Sequence, residues 1–113
     1  MTCLFCKIIN NEIEAKFAYQ DELHVGIYDI NPKAPVHILL IPKKHIPTIN
    51  DIGVDDINLI GDIVHKAKIL ATNEDIATSG YRLVWNVNKA AGQEVFHIHL
   101  HLLGGRSFEW PPG

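Results

Sequence analysis

Two periods of apolar residues run along this chain, and they separate sheet-forming segments from one long helix. Residues 17–19 and 25–28 (Phe-Ala-Tyr and Val-Gly-Ile-Tyr) read as short strands around a polar Gln20-Asp21-Glu22 turn. Residues 36–41 are β-branched and aliphatic and predict a third strand, ended by Pro42, which has no amide to donate. Asn31-Pro32-Lys33-Ala34-Pro35 before it is a loop for the same reason. Over residues 55–71 the period lengthens. Ile57, Ile60, Val64, Ala67 and Ala71 recur at steps of three and four, which predicts one helix face, with Asp55 and Asp56 in the first turn where the dipole favours negative charge. Residues 81–87 and 95–103 predict two more strands around an Asn88–Gln93 loop, and residues 4–9 a short helix. Most connections are too short for crossovers, so the expected fold is α+β, a five-stranded antiparallel sheet with one long and one short helix.

The 113 residues fit a single domain spanning 1–113, without repeat or linker. A hydrophobic content of 47% with 20% charged residues argues against disorder. The net charge of −3 argues against a nucleic-acid partner. No window approaches about 18 consecutive apolar residues, and residues 1–13 lack a signal peptide's apolar run. A cytoplasmic protein without a membrane partner is expected. The two cysteines, Cys3 and Cys6, are spaced as half a metal site, a redox pair or two small buried side chains. The redox reading is the weakest, because no strand precedes them.

Chemistry concentrates in Phe96-His97-Ile98-His99-Leu100-His101-Leu102. Successive side chains of a strand point to opposite faces, so His97, His99 and His101 should share one face, about 6.6–7 Å apart at neighbouring positions. Three of the seven histidines in strict alternation are not a packing solution. Metal ligation and nucleophilic catalysis both fit such a row. A metal-binding barrel would need a carboxylate a few residues on, and Glu109 is badly placed, which puts nucleophilic catalysis ahead. His24 and His65 lie outside the pattern and are expected to face solvent.

His97-Ile98-His99-Leu100-His101-Leu102-Leu103 resembles the signature of the histidine triad superfamily. The likeness continues through Asn86, Gly92-Gln93, Gly104-Gly105-Arg106, the segments 29–37 and 41–46, and the closing Trp110-Pro111-Pro112-Gly113. It is most similar to the nucleotide-binding branch, the purine nucleoside phosphoramidases. The resemblance implies cleavage of the P–N bond of adenosine or guanosine 5′-phosphoramidates, and hydrolysis of aminoacyl adenylates. It makes His99 the nucleophile that forms a nucleotidyl-imidazole intermediate, with His101, His37 and His97 assisting. Asn86, Gly92, Gln93, Glu94 and Val95 would bind the nucleotide, the Asn88–Gln93 loop cradling the phosphate and Asn86 and Gln93 adding side-chain donors. Glu94 stands where several relatives carry a serine that contacts the leaving group. Phe5, Ile8, Ile13, Ile27 and Ile30 would line the base slot, and Asp29 would accept from the ribose hydroxyls.

The resemblance also implies a homodimer, with the sheet continued across it at residues 81–87 and the tail with Trp110 shaping the partner's site. Catalysis would need no cofactor. Some related triad proteins hold a structural zinc through positions that correspond to Cys3, Cys6, His45 and His97. A nucleotide-binding or regulatory module with incidental turnover is the alternative, against which an intact His99 weighs.

Overall fold

In the computed structural model, which describes residues 3–113, the apolar run at 36–41 becomes the middle of a five-stranded sheet. The strands are β1 (Phe17–Gln20), β2 (His24–Tyr28), β3 (Val36–Pro42), β4 (Tyr81–Trp85) and β5 (Leu100–Gly104). Every neighbouring pair is antiparallel, in the order β1-β2-β3-β5-β4. Helix α1 (Leu4–Ile9) and helix α2 (Ile57–Asn73) pack on opposite faces. Among the described residues no helix is long and apolar enough to cross a membrane.

Strand alternation sorts the side chains. Ile38 and Leu40 of β3, with Leu100 and Leu102 of β5, are fully buried against Ile63, Ala67, Leu70 and Ala71 of α2. Leu39 and Ile41 point the other way and join Val25 and Ile27 against Phe5 and Ile8 of α1. His37 and His101 therefore belong to the α1 face, since Leu39 pairs across with His101 and His37 lies two residues from Leu39.

Three expectations are corrected. The buried stripe of α2 is Ile63-Ala67-Leu70-Ala71, whereas Ile57 is 61% and Val64 40% exposed. The helix is apolar around much of its circumference, and the face where Ala67 and Ala71 permit close approach is the one that meets the sheet. His24 does not face solvent. It opens β2 pointing towards α2, fully buried, with Nε2 2.9 Å from Asp62; His65 is exposed as expected.

The third correction concerns the last strand, which begins at Leu100 and not at residue 95. Pairing with β3 runs only as far as Leu40↔Leu100. Pro42, two residues further along β3, has no N–H, and its carbonyl is taken by the His97 ring at 2.7 Å. With the ladder interrupted, residues 95–99 turn away, held by the Ile98 amide donating to the Ile46 carbonyl at 2.8 Å.

Gly104 lies at the far end of β5, paired with both Val36 and Tyr81. A Cβ there would stand 2.5 Å from Ile76 Cδ1 and 3.0 Å from its Cβ. Gly104→Ala should destabilise the fold by about 1–3 kcal/mol through overpacking. Urea denaturation measures this, and a midpoint equal to the parent's would refute the close approach.

Candidate active site

Leaving the ladder at residue 99 divides the histidine row into two groups. His99 and His101 stay together, ring centroids 5.0 Å apart, and His37 joins them at 5.2 Å from His101. His97 turns aside towards Cys3, Cys6 and His45. Phe5 of α1 stands edge-on to both groups, 6.0 Å from His97 and 4.9 Å from His99.

Backbone groups decide where each ring keeps its proton. A neutral imidazole has one N–H donor and one bare acceptor nitrogen. The His97 carbonyl, 2.9 Å from His99 Nδ1, can only accept, so the proton sits on Nδ1 and the His99 Nε2 lone pair is free. The Lys33 amide donates to His37 Nδ1 at 3.0 Å, so His37 carries its proton on Nε2. That N–H points at His101 Nδ1, 2.9 Å away, which leaves the His101 proton on Nε2. Asp29 Oδ2 lies 3.4 Å from the same His37 Nε2. One imidazole thus offers a nucleophilic nitrogen, and the next on the strand offers a donor.

Burial keeps these rings neutral. It lowers His99, against the opposing pull of the His97 carbonyl and Asp29, and it lowers His37, where Asp29 again opposes. His101 is pushed down to about 4, by burial first and then by the charges His99 and His37 would carry. A neutral imidazole keeps its lone pair available near pH 7.

The second group gathers four ligand-type atoms. Cys3 Sγ is 3.4 Å from His97 Nδ1; Cys6 Sγ is 3.4 Å from His45 Nδ1 and 3.6 Å from His97 Nδ1; the two Nδ1 atoms are 3.1 Å apart. All four lie within 4.8 Å of one another. His97 Nε2–H donates to the Pro42 carbonyl, which leaves Nδ1 bare and aimed at the thiols. Burial and the neighbouring Cys3 push the Cys6 thiol up to about 11. His45 is exposed, so the cluster is open on one side. Two sulfurs and two imidazole nitrogens converging at these separations suit tetrahedral zinc, which takes Zn–S near 2.3 Å and Zn–N near 2.0–2.1 Å.

The other expected residues divide between wall and surface. Phe5, Ile8 and Ile27 are buried and Val95 packs beside them, half-buried. Ile13 is 38% and Ile30 95% exposed, so these two do not form a closed wall with the rest. Asn86 is half-buried, Glu94 exposed and Trp110 85% exposed. Gly92 has φ +87°, the left-handed turn that brings the chain back towards Gln93.

Gln93 departs from expectation. Its Nε2 donates to the Pro47 carbonyl at 2.7 Å and the Val95 carbonyl at 3.1 Å, and its Oε1 accepts from the Asn88 amide at 2.8 Å. The buried side chain holds the loop's shape and has no donor left for a phosphate. The residues missed at the sequence level act through their backbones: the Lys33 amide and the Pro42 carbonyl leave no side-chain motif to read.

The HIT domain family model matches residues 10–108, and the chain belongs to that family. The purine nucleoside phosphoramidase of Escherichia coli K12 is 48% identical over 103 residues, which is 91% of this chain and 87% of the relative. Among solved structures, a HIT family hydrolase from Legionella pneumophila superposes with a TM-score of 0.98 at 55% identity, covering 99% of this chain and 100% of that one. A HIT family hydrolase from Clostridium thermocellum gives 0.93 at 46% identity, covering 96% and 94%.

The histidine burial has a consequence for stability. His101 titrates near 6.5 in the unfolded chain and about 4 in the fold. Below pH 6.5 the unfolded chain therefore binds a proton that the native ring refuses, and stability rises with pH. The contribution is complete above pH 6.5 and is lost as pH falls from there through 4. His101→Gln has no such proton to gain, so its denaturation midpoint should decline less steeply across this window. Parallel declines in variant and parent would refute the assignment.

Proposed function

We propose that this protein is a hydrolase of purine nucleoside 5′-phosphoramidates working through His99. The observation that carries the reading is the His99 Nδ1–H donated to the His97 carbonyl, which leaves Nε2 bare beside a second imidazole with its own N–H free. His99 Nε2 attacks the α-phosphorus, the amine leaves once protonated, and water hydrolyses the nucleotidyl-imidazole to a 5′-monophosphate. Splitting one difficult displacement into two is the gain of covalent catalysis. His101 Nε2–H donates to a phosphoryl oxygen as charge grows on it. An aminoacyl adenylate presents the same α-phosphorus to the same nitrogen. The name of the Escherichia coli relative supports the substrate class, and the two hydrolase structures support the reaction type.

The purine lies against the apolar wall of Phe5, Ile8 and Ile27, and the ribose hydroxyls donate to Asp29, whose carboxylate has only acceptors. Strand β4 is an edge of the sheet in the single chain, with Leu83 36% exposed. A second copy pairing there would cover that edge and give the exposed Trp110 a surface to dock on.

His99→Ala should lower phosphoramidate turnover by about 10³-fold or more, since no other ring offers a bare nitrogen at that position. AMP should still bind by calorimetry, because the apolar wall remains. Mass spectrometry of the parent quenched during turnover should find a nucleotidyl adduct on His99. Equal turnover in variant and parent would dismiss the mechanism.

Cys3, Cys6, His45 and His97 are proposed to hold one structural zinc. Bound there, it supplies a cross-link between α1, the turn after β3 and the segment before β5; the attack by His99 runs without it. The Pro42 carbonyl on His97 Nε2 orients that ring as outer-shell partners of zinc-bound histidines do. Protein purified without chelator should contain about one zinc per chain, and chelation or Cys6→Ser should lower the thermal midpoint. Metal-free native protein whose midpoint ignores chelator would remove the assignment.

A further inference from the structure

Asp29, His37 and His101 form a second cluster with metal-like spacing, their ligand atoms within 4.8 Å of one another. Two histidines and a carboxylate would ordinarily suggest a transition-metal site. The backbone argues otherwise. A metal between the three would need the His37 Nε2 lone pair, which moves that ring's proton to Nδ1. The Lys33 amide already donates to Nδ1 at 3.0 Å, so two N–H groups would then face each other. The thiol cluster is built the opposite way, with a carbonyl on the far nitrogen of His97. One cluster is arranged to receive a cation, the other to hold a proton.

We propose that Asp29 is a positioning residue for the hydrolytic step, acting through His37 on His101. This rests on the phosphoramidase reading above and extends it, since there Asp29 meets only the sugar. Asp29 Oδ1 accepts from the Asn31 amide at 2.8 Å, which fixes the carboxylate, and Oδ2 lies 3.4 Å from His37 Nε2. His37 donates more closely to His101, at 2.9 Å. Among the described residues this carboxylate is the one anion beside the imidazole pair, and its side chain is 20% exposed. Its charge favours the His37 tautomer protonated on Nε2, and it favours positive charge on either ring as the phosphoryl group takes up the His101 proton's hydrogen bond. The carboxylate and His101 meet the same nitrogen of His37, so Asp29 acts by its charge on an imidazole pair whose far end, His101 Nε2, is the nitrogen that works on the phosphoryl group.

A residue serving only the sugar should not matter to a substrate without sugar hydroxyls. Asp29→Asn keeps an oxygen for the Asn31 amide and removes the charge. Its kcat and KM are compared with the parent's on adenosine 5′-phosphoramidate and on the 2′,3′-dideoxy analogue. The expected result is a kcat reduced about tenfold or more on both substrates, with KM on the dideoxy analogue within about twofold of the parent's. Nitrogen-15 NMR of the substrate-free variant should show the His37 and His101 ring signals shifted by loss of the charge, with both rings keeping the tautomers that the Lys33 amide sets. A loss confined to KM on the ribose substrate, with ring signals unchanged, would overturn the proposal. If the parent turned over neither compound, the phosphoramidase reading would fall, and the substrate-free ring signals alone would decide whether Asp29 acts through His37.

Discussion

His97 makes two backbone hydrogen bonds of opposite purpose. Its ring donates to the Pro42 carbonyl, and its own carbonyl accepts from the His99 ring. The first bond exists because Pro42 ends a strand that cannot extend its ladder; the second lies on the segment which that interruption releases. A carbonyl facing an imidazole nitrogen forces a proton onto it, and an amide forces the proton off. The same side chain therefore presents a bare Nδ1 to the thiols at His97, a bare Nε2 at His99 and a free Nε2–H at His101, according to which group stands behind it.

This scheme works only if the rings are neutral and still. The sheet supplies both conditions by burying His37 and His97 almost completely and anchoring β5 through Leu100 and Leu102 to α2. Burial lowers the affinity of each ring for a second proton, which keeps a lone pair available at neutral pH. Ile30, Trp110 and Glu94, by contrast, lie exposed.

The α+β architecture and the central strand were legible because their signals are redundant: dense β-branched residues, two prolines before and one after. The histidine row was legible as chemistry but not as geometry. Alternation places His99 and His101 correctly and misplaces His97, since strand periodicity assumes a ladder that Pro42 interrupts. The inward face of α2 was ambiguous because Ile57 and Val64 share the spacing of the buried stripe, and only the sheet chooses between them. His24 looked like a surface residue because its partner Asp62 lies 38 positions away. Gln93 was credited with a free amide because its true acceptors are main-chain carbonyls, which no side-chain pattern reveals.

The N-terminal helix then has a different standing from its length. Six residues could not hold a helix in isolation. Its Phe5 ring touches both His97 and His99, and Cys3 and Cys6 sit on either side of that ring in sequence. Any displacement of α1 moves an apolar wall, a thiol pair and the packing of His99 together. Because His97 is shared between the thiol cluster and the acceptor carbonyl, holding the thiols in place also holds His99 in the tautomer that leaves Nε2 bare. The placement of α1 and the bare Nε2 of His99 are, by that shared residue, linked.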